Sequence, residues 1–156
     1  MERIAVFPGS FDPITLGHES IVKRALHVFD RIIVGIGHNS AKNYMFDIDQ
    51  RKAWVDETFA NESRVTCDVY EGLTVSFCKQ VGARFILRGI RNTNDFEFER
   101  TIASMNHAMA PDIETVSVFP EPHVHAINST VVRDILKHGG DVSAFVPSAI
   151  HIPAAR

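Results

Sequence analysis

The side chains best suited to chemistry in this chain are hydrogen-bond donors and cations. They are Ser10, His18, Lys42, Arg88 with Arg91, and the hydroxyls of Ser129 and Thr130. Ser10 has no adjacent base, and no residue near His18 forms the nucleophile–base pair that covalent catalysis needs. The set reads instead as a device for holding anions and stabilising charge on them. His18 follows Gly17 in Pro8-Gly9-Ser10-Phe11-Asp12-Pro13-Ile14-Thr15-Leu16-Gly17-His18. A strand, a glycine turn and a His in the first turn of a helix place free backbone N–H groups and a ring donor together, which suits phosphate. Gly17 is expected to let that phosphate approach the backbone. The loop lacks Gly-x-Gly-x-x-Gly and the Walker lysine, so it is neither a dinucleotide fingerprint nor a P-loop. Arg88 and Arg91 flank Gly89-Ile90, and two guanidinium forks there can clamp separate phosphate groups.

These residues must be positioned by the elements around them, and the apolar pattern alternates along the chain. Arg3 to Phe7 reads as a buried strand ending at Pro8-Gly9. From Gly17 to Phe29, Ile21, Val22, Ala25, Leu26 and Phe29 share a helical face. Arg31 to Gly37 is a second buried strand, after which Lys42 lies in a polar loop. Asp47-Ile48-Asp49-Gln50 opens a helix bearing Ala53, Trp54 and Phe59. Val65 to Tyr70 alternates like a strand, and a helix from Thr74 to Val81 stops at Gly82. Phe85-Ile86-Leu87 is a short buried strand. A long helix from Asn92 to Ala110 is expected to be capped by Thr93 or Asn94 and to end before Pro111. Val116 to Phe119 is a fifth strand, Ser129 to His138 a helix halted by Gly139-Gly140, and the tail after Pro147 is expected to form a short helix.

Strands alternating with helices imply a doubly wound α/β domain on a parallel five-stranded sheet, with residues 1–156 as one domain. Ligands in such sheets sit beyond the carboxyl ends of the strands, near the reversal of strand order. That rule selects the loops Pro8–His18, His38–Phe46, Arg88–Asn94 and Pro120–Ser129.

Hydrophobic residues make up 45% of the chain and charged residues 22%, which suits a folded domain rather than disorder. With a net charge of -3 and no basic stripe, nucleic acid is not expected as a partner. No apolar run reaches membrane length and no signal peptide is evident at the start, so a cytoplasmic protein is expected. Cys67 and Cys78 read as free core thiols, since no Cys-x-x-Cys occurs. His123 and His125 have a spacing that some metal sites use, but no third ligand is evident. Asp95 and Glu99 share a helical face and Glu97 does not.

Thr15-x-Gly17-His18 after Gly9-Ser10-Phe11-Asp12-Pro13 resembles the T/HxGH signature of the nucleotidylyltransferase superfamily. Lys42 before Met45-Phe46, Arg88-Gly89-Ile90-Arg91 with Asp95-Phe96-Glu97, and Ile127-Asn128-Ser129-Thr130 agree in order and spacing with the bacterial phosphopantetheine adenylyltransferases. The T/HxGH motif alone identifies only the superfamily; the set together is specific, and the resemblance covers essentially the whole chain. It implies a Rossmann-like fold and transfer of the adenylyl group of ATP to 4'-phosphopantetheine in coenzyme A synthesis, giving dephospho-CoA and pyrophosphate. His18, as transition-state stabiliser, Lys42 and Arg91 would be catalytic. ATP would be held by Ser10, Phe11, His18, Gly89, Ile90, Arg91, Glu99, Val124, His125, Ala126, Ile127, Asn128, Ser129 and Thr130. Phosphopantetheine would be held by Ser10, Lys42, Thr74 and Arg88. Mg2+ would arrive with ATP and have no dedicated protein ligands, and the assembly would be a homohexamer. The family commonly has Ile-Ser-Ser-Ser or Ile-Ser-Ser-Thr where this chain has Asn128, which can still cap and donate.

Two alternatives stand beside this reading. One is another transferase of the superfamily, acting on nicotinate mononucleotide or a cytidylyl substrate; the context of Lys42 and Arg88-Gly89-Ile90-Arg91 argues against it. The other is a non-catalytic nucleotide sensor on the same fold; the joint presence of His18, Lys42 and Arg91 argues against that.

Overall fold

Buried β-branched runs separated by amphipathic segments leave the chain one way to hide its apolar surface, a sheet sandwiched between helices. The computed structural model describes residues 1–153. The elements run β1 (Ile4–Gly9), α1 (Leu16–Ala25), β2 (Arg31–Gly37), α2 (Ile48–Thr58), β3 (Val65–Tyr70), α3 (Thr74–Val81), β4 (Phe85–Gly89), α4 (Thr93–Met109), β5 (Glu114–Val118) and α5 (Ser129–Lys137). The five strands form one parallel sheet in the order β3-β2-β1-β4-β5. Strand order reverses between β1 and β4, where Val6 pairs with both Ile33 and Ile86.

Successive residues of β1 point to opposite faces. Ala5 and Phe7 enter a large core with Ile21, Val22 and Ala25 of α1, Trp54 and Val55 of α2, and Val132 and Leu136 of α5. Val6 enters a smaller core on the other face with Val75, Phe77 and Cys78 of α3. Helix α4 supplies no residue to either core, and Glu99 is its one buried residue. Phe96, Phe98, Ile102, Met105 and Met109 of α4 are exposed.

Several sequence expectations are met closely and others are corrected. α3 starts at Thr74 and ends at Val81, as its pattern indicates. α1 stops at Ala25, short of Phe29, because the chain turns there to enter β2; Phe29 still reaches the large core. β4 runs on through Arg88 and Gly89, so Arg88 projects from a strand end. The cap of α4 is Asn92, not Thr93 or Asn94: its extended backbone aims its Oδ1 at the N–H of Asp95 (2.9 Å). β5 begins at Glu114 and ends at Val118. The short helix expected after Pro147 is absent over residues 148–153, which turn and tuck Ile150 and Ile152 into the large core; residues 154–156 lie outside the described residues.

Gly82 ends α3 at φ 72, with nothing near the position a Cβ would take. The need for glycine there is conformational only. Gly82→Ala is expected to destabilise the fold by about 1 kcal/mol through left-handed strain alone. Urea denaturation should show a lower midpoint with an unchanged slope.

Candidate active site

Thr15 caps α1, and the residue three positions on is His18 rather than the usual Glu or Gln. The Thr15 Oγ1 accepts from the His18 backbone N–H (3.4 Å), and the Thr15 N–H donates to His18 Nδ1 (3.0 Å). A neutral imidazole that accepts at Nδ1 carries its proton on Nε2. The cap therefore sets the tautomer and leaves Nε2–H as the donor for the cleft. The ring is wedged edge-on against Phe11 (centroids 4.9 Å apart) and Phe7 (6.1 Å). Phe11 adopts φ 47, a conformation an L-residue takes at a cost of about 1–2 kcal/mol, and is buried beneath the loop. Burial, then the charges of Arg91 and Arg88, push the His18 pKa from 6.5 down to about 4. Its charge state, open from the sequence, is neutral near pH 7. A Cβ on Gly17 would lie 3.0 Å from the Ile127 carbonyl. What the missing side chain admits there is the 124–127 backbone, while Gly17 itself still lines the cleft.

The two arginines after β4 are already held by acids. Arg88 Nε and Nη2 donate to the two oxygens of Glu99 (2.7 and 2.6 Å), and Nη1 donates to the Pro8 carbonyl (2.8 Å). Arg91 donates through its backbone N–H and Nε to Asp95 Oδ2, both at 3.0 Å. Asp95 and Glu99 thus share a face as expected, and their work is to orient guanidiniums. Glu97 lies elsewhere, near Arg100 at 3.5 Å.

Sequence reasoning missed the residues that join the loops after β1 and β2. Asp12 is buried and accepts from the N–H groups of Met45 and Phe46, each at 2.9 Å. Arg51 is 1% exposed. Its Nε donates to the Phe46 carbonyl (3.0 Å), its Nη1 to the Ser10 carbonyl (2.8 Å), and its guanidinium lies 4.0 Å from the centre of the Tyr44 ring. No carboxylate pairs with it among the described residues. The available signal was a charged residue on the buried stripe of α2, one turn before Val55. Lys42 follows in the same loop, exposed, with no hydrogen bond or ion pair from Nζ among the described residues.

Two clefts meet at this junction. The first, of about 370 Å³, is lined by Ser10, His18, Arg88, Gly89, Arg91, Glu99 and residues 127–130. The second, of about 330 Å³, is lined by Ser10, Lys42, Thr74 and Arg88, with Tyr70, Phe98, Ile102 and Asn106. Pro8, Gly9, Ser10 and Arg88 form the shared wall. Phe11, Ile90, Val124, His125 and Ala126 do not line the first cleft. Phe11 lies beneath its floor, Val124 is buried, and His125 and Ala126 are exposed outside it. Thr74 Oγ1 shares a 2.8 Å hydrogen bond with the Tyr70 hydroxyl, a neighbour sequence reasoning did not name. Asn128 caps α5 through the Val131 N–H (3.0 Å), and Ser129 donates to the Pro13 carbonyl (2.8 Å). His123 and His125 are exposed, and among the described residues no three His, Cys, Asp or Glu side chains converge. Cys67 and Cys78 are buried free thiols, raised by burial to about 12 and about 11. No helix among the described residues is long and apolar enough to cross a membrane.

Residues 6–135 match the cytidylyltransferase-like family, which agrees with a phosphate-binding helix start at a sheet reversal. A solved structure described as a nicotinate-nucleotide adenylyltransferase from Vibrio parahaemolyticus superposes with a TM-score of 0.71. It covers 96% of this chain and 90% of that one at 21% identity, a likeness of fold. The phosphopantetheine adenylyltransferase of Flavobacterium psychrophilum is 49% identical over 150 residues, 96% of this chain and 99% of that protein. That of Cytophaga hutchinsonii is 47% identical over 150 residues, 96% of this chain and 100% of that protein. The chain belongs to the phosphopantetheine adenylyltransferase family within the cytidylyltransferase-like proteins.

The depressed His18 pKa has a measurable signature. The unfolded chain takes up this proton below about pH 6.5, and the folded chain only near pH 4. The stability that neutral His18 contributes is full above pH 6.5 and is lost as pH falls through that window. Nitrogen-15 NMR of the ligand-free protein should show an Nε2–H imidazole at pH 7 with a midpoint near 4. Arg91→Ala should raise that midpoint. A ring titrating at its ordinary value would overturn the account.

Proposed function

We infer that the chain transfers the adenylyl group of ATP to 4'-phosphopantetheine, giving dephospho-CoA and pyrophosphate, the reaction for which its relatives are named. The observation that carries this reading is the junction of two clefts at Ser10 and Arg88. ATP takes the first cleft, its phosphates near Arg91 and the helix starts at His18 and Ser129. Phosphopantetheine takes the second, its phosphate near Lys42 and Arg88, beside Thr74. All four residues expected to hold the acceptor line that one cleft, which supports the assignment. The acceptor phosphate attacks the α-phosphorus directly, in line with departing pyrophosphate. An acceptor that is already an anion needs no general base and no covalent enzyme intermediate. The chain contributes position and charge stabilisation. The Nε2–H of His18 donates to the α-phosphoryl oxygens as charge shifts among them. Arg91 and Lys42 offset charge at the two sides.

Magnesium enters with ATP in this reading. Asp95 and Glu99 are engaged by the arginines, so the cleft offers hydroxyls and backbone groups rather than a free carboxylate, which suits a largely hydrated ion held through phosphates. When bound, magnesium neutralises charge on the outer phosphates. Both clefts belong to one domain. Two free thiols fit a reducing cytoplasm. Self-association, as a homohexamer by family resemblance, is supported by the exposed apolar residues of α4.

The protein, ATP, magnesium and 4'-phosphopantetheine should yield pyrophosphate and dephospho-CoA; turnover only with nicotinate mononucleotide, or none, would sink the reading. His18→Ala should lower turnover by at least about 10²-fold with a smaller change in ATP affinity. Chiral α-thio-ATP should react with inversion at phosphorus. Retention would require a double displacement.

Met105→Glu places a charge on the apolar face of α4. Light scattering should show the parent as an oligomer and the variant shifted toward monomer, with circular dichroism unchanged. An unshifted mass would remove α4 from the interface.

A further inference from the structure

The two clefts account for Lys42 on one side only. Its other side borders a separate groove of about 280 Å³, lined by Ser10, Asp12, Lys42, Asn43, Tyr44 and Arg133. Ser10 lines this groove and the first cleft as well, so the two are continuous around that residue. Arg133 lies on α5 one turn beyond Ser129 and Thr130. Its Nη1 donates to the Asp12 carbonyl (2.8 Å), and its Nη2 lies 3.4 Å from Thr130 Oγ1. No acid pairs with Arg133 among the described residues. The one carboxylate lining the groove, Asp12, has each oxygen occupied by a backbone N–H, of Met45 and of Phe46. The groove therefore presents two cations without a free counter-charge, unlike Arg88 and Arg91 with their acids.

We propose that Arg133 and Lys42 form a subsite for pyrophosphate, the leaving group of adenylyl transfer. The proposal rests on the function inferred above and deepens it. A triphosphate laid from the first cleft over the start of α5 passes Ser129 and Thr130 and brings its outer phosphates to Arg133. As the acceptor oxygen bonds to the α-phosphorus, the bond to the α–β bridging oxygen breaks and its electron pair leaves with pyrophosphate. Charge grows on that group, and a guanidinium and an ammonium with no acid partner are placed to receive it. Lys42 then faces the acceptor phosphate in one cleft and the departing anion in the other, linking capture of one to release of the other.

The test has two readouts. Titration calorimetry with magnesium pyrophosphate alone should show binding to the parent, weakened about 10-fold or more in Arg133→Met and largely restored in Arg133→Lys. In the reverse reaction, from dephospho-CoA and pyrophosphate, Arg133→Met should raise KM for pyrophosphate by a similar factor and leave KM for dephospho-CoA within about twofold. Lys137→Ala, an exposed charge on the same helix, should change neither. If Arg133 merely tethers Asp12, the Met variant will lose melting temperature and turnover with pyrophosphate affinity intact, which overturns the proposal. Loss of both KM values together overturns it too. A parent that binds pyrophosphate through Arg133 but makes no ATP would retain the subsite and refute the functional reading instead.

Discussion

A parallel sheet built by right-handed crossovers must send its connections to opposite faces wherever strand order reverses, and that reversal opens a crevice. Here it falls between β1 and β4. Everything chemical in the molecule follows from which loops those two strands deliver. β1 ends at Gly9, so Ser10 and the start of α1 stand at the crevice; β4 ends at Gly89, so Arg88 and Arg91 stand opposite. The Pro8 carbonyl accepts from Arg88, so the two strand ends are tied across the gap. β2, on the far side of β1, sends the Lys42 loop over the same edge.

Within that frame, orientation is secured before any ligand arrives. Arg88 is fixed by Glu99 and Pro8, Arg91 by Asp95, and the His18 ring by Thr15. The acids cancel much of the field of the arginines at rest. What remains for a polyanion is the pair of helix starts, the buried Arg51, and the uncancelled Lys42 and Arg133. Burying Arg51 without an acid is costly. Two carbonyls and an aromatic face offset that cost, and the same contacts lock the loops after β1 and β2 together.

Much of this was legible in local pattern. Helix α3 and strands β2 and β3 are bounded by residues whose preference depends on near neighbours, such as Gly82 with its positive φ. The T/HxGH segment, Lys42 and the Arg88–Arg91 pair stand at strand ends, where the reversal rule says to look. What was not legible depends on distant contacts. Arg51 reads as a surface charge until Ser10, from another loop, is seen above it. Asp12 reads as a turn residue until the Met45 and Phe46 amides reach it. Asn92 and Thr93 are both competent caps, and backbone direction decides between them. The Nδ1 bond of His18 reverses the usual capping chemistry, with a ring where a carboxylate normally sits.

The loop that carries Lys42 is anchored at one end and unbound at the other. Residues 44–46 are held by Asn39, Asp12 and Arg51 through Tyr44, Met45 and Phe46, whereas Lys42 projects into solvent with Nζ unengaged. A lysine in that state keeps most of its rotamer freedom, and fixing it forfeits up to about 2 kcal/mol. Its attraction to an anion also acts through water, and dissolved ions screen it within about 8 Å at physiological ionic strength. Arg51 and Arg88 act from drier ground and have already lost their freedom. Added salt therefore works selectively on this enzyme: it weakens the grip of the one mobile cation while the rigid lattice of arginines, carbonyls and carboxylates holds its shape.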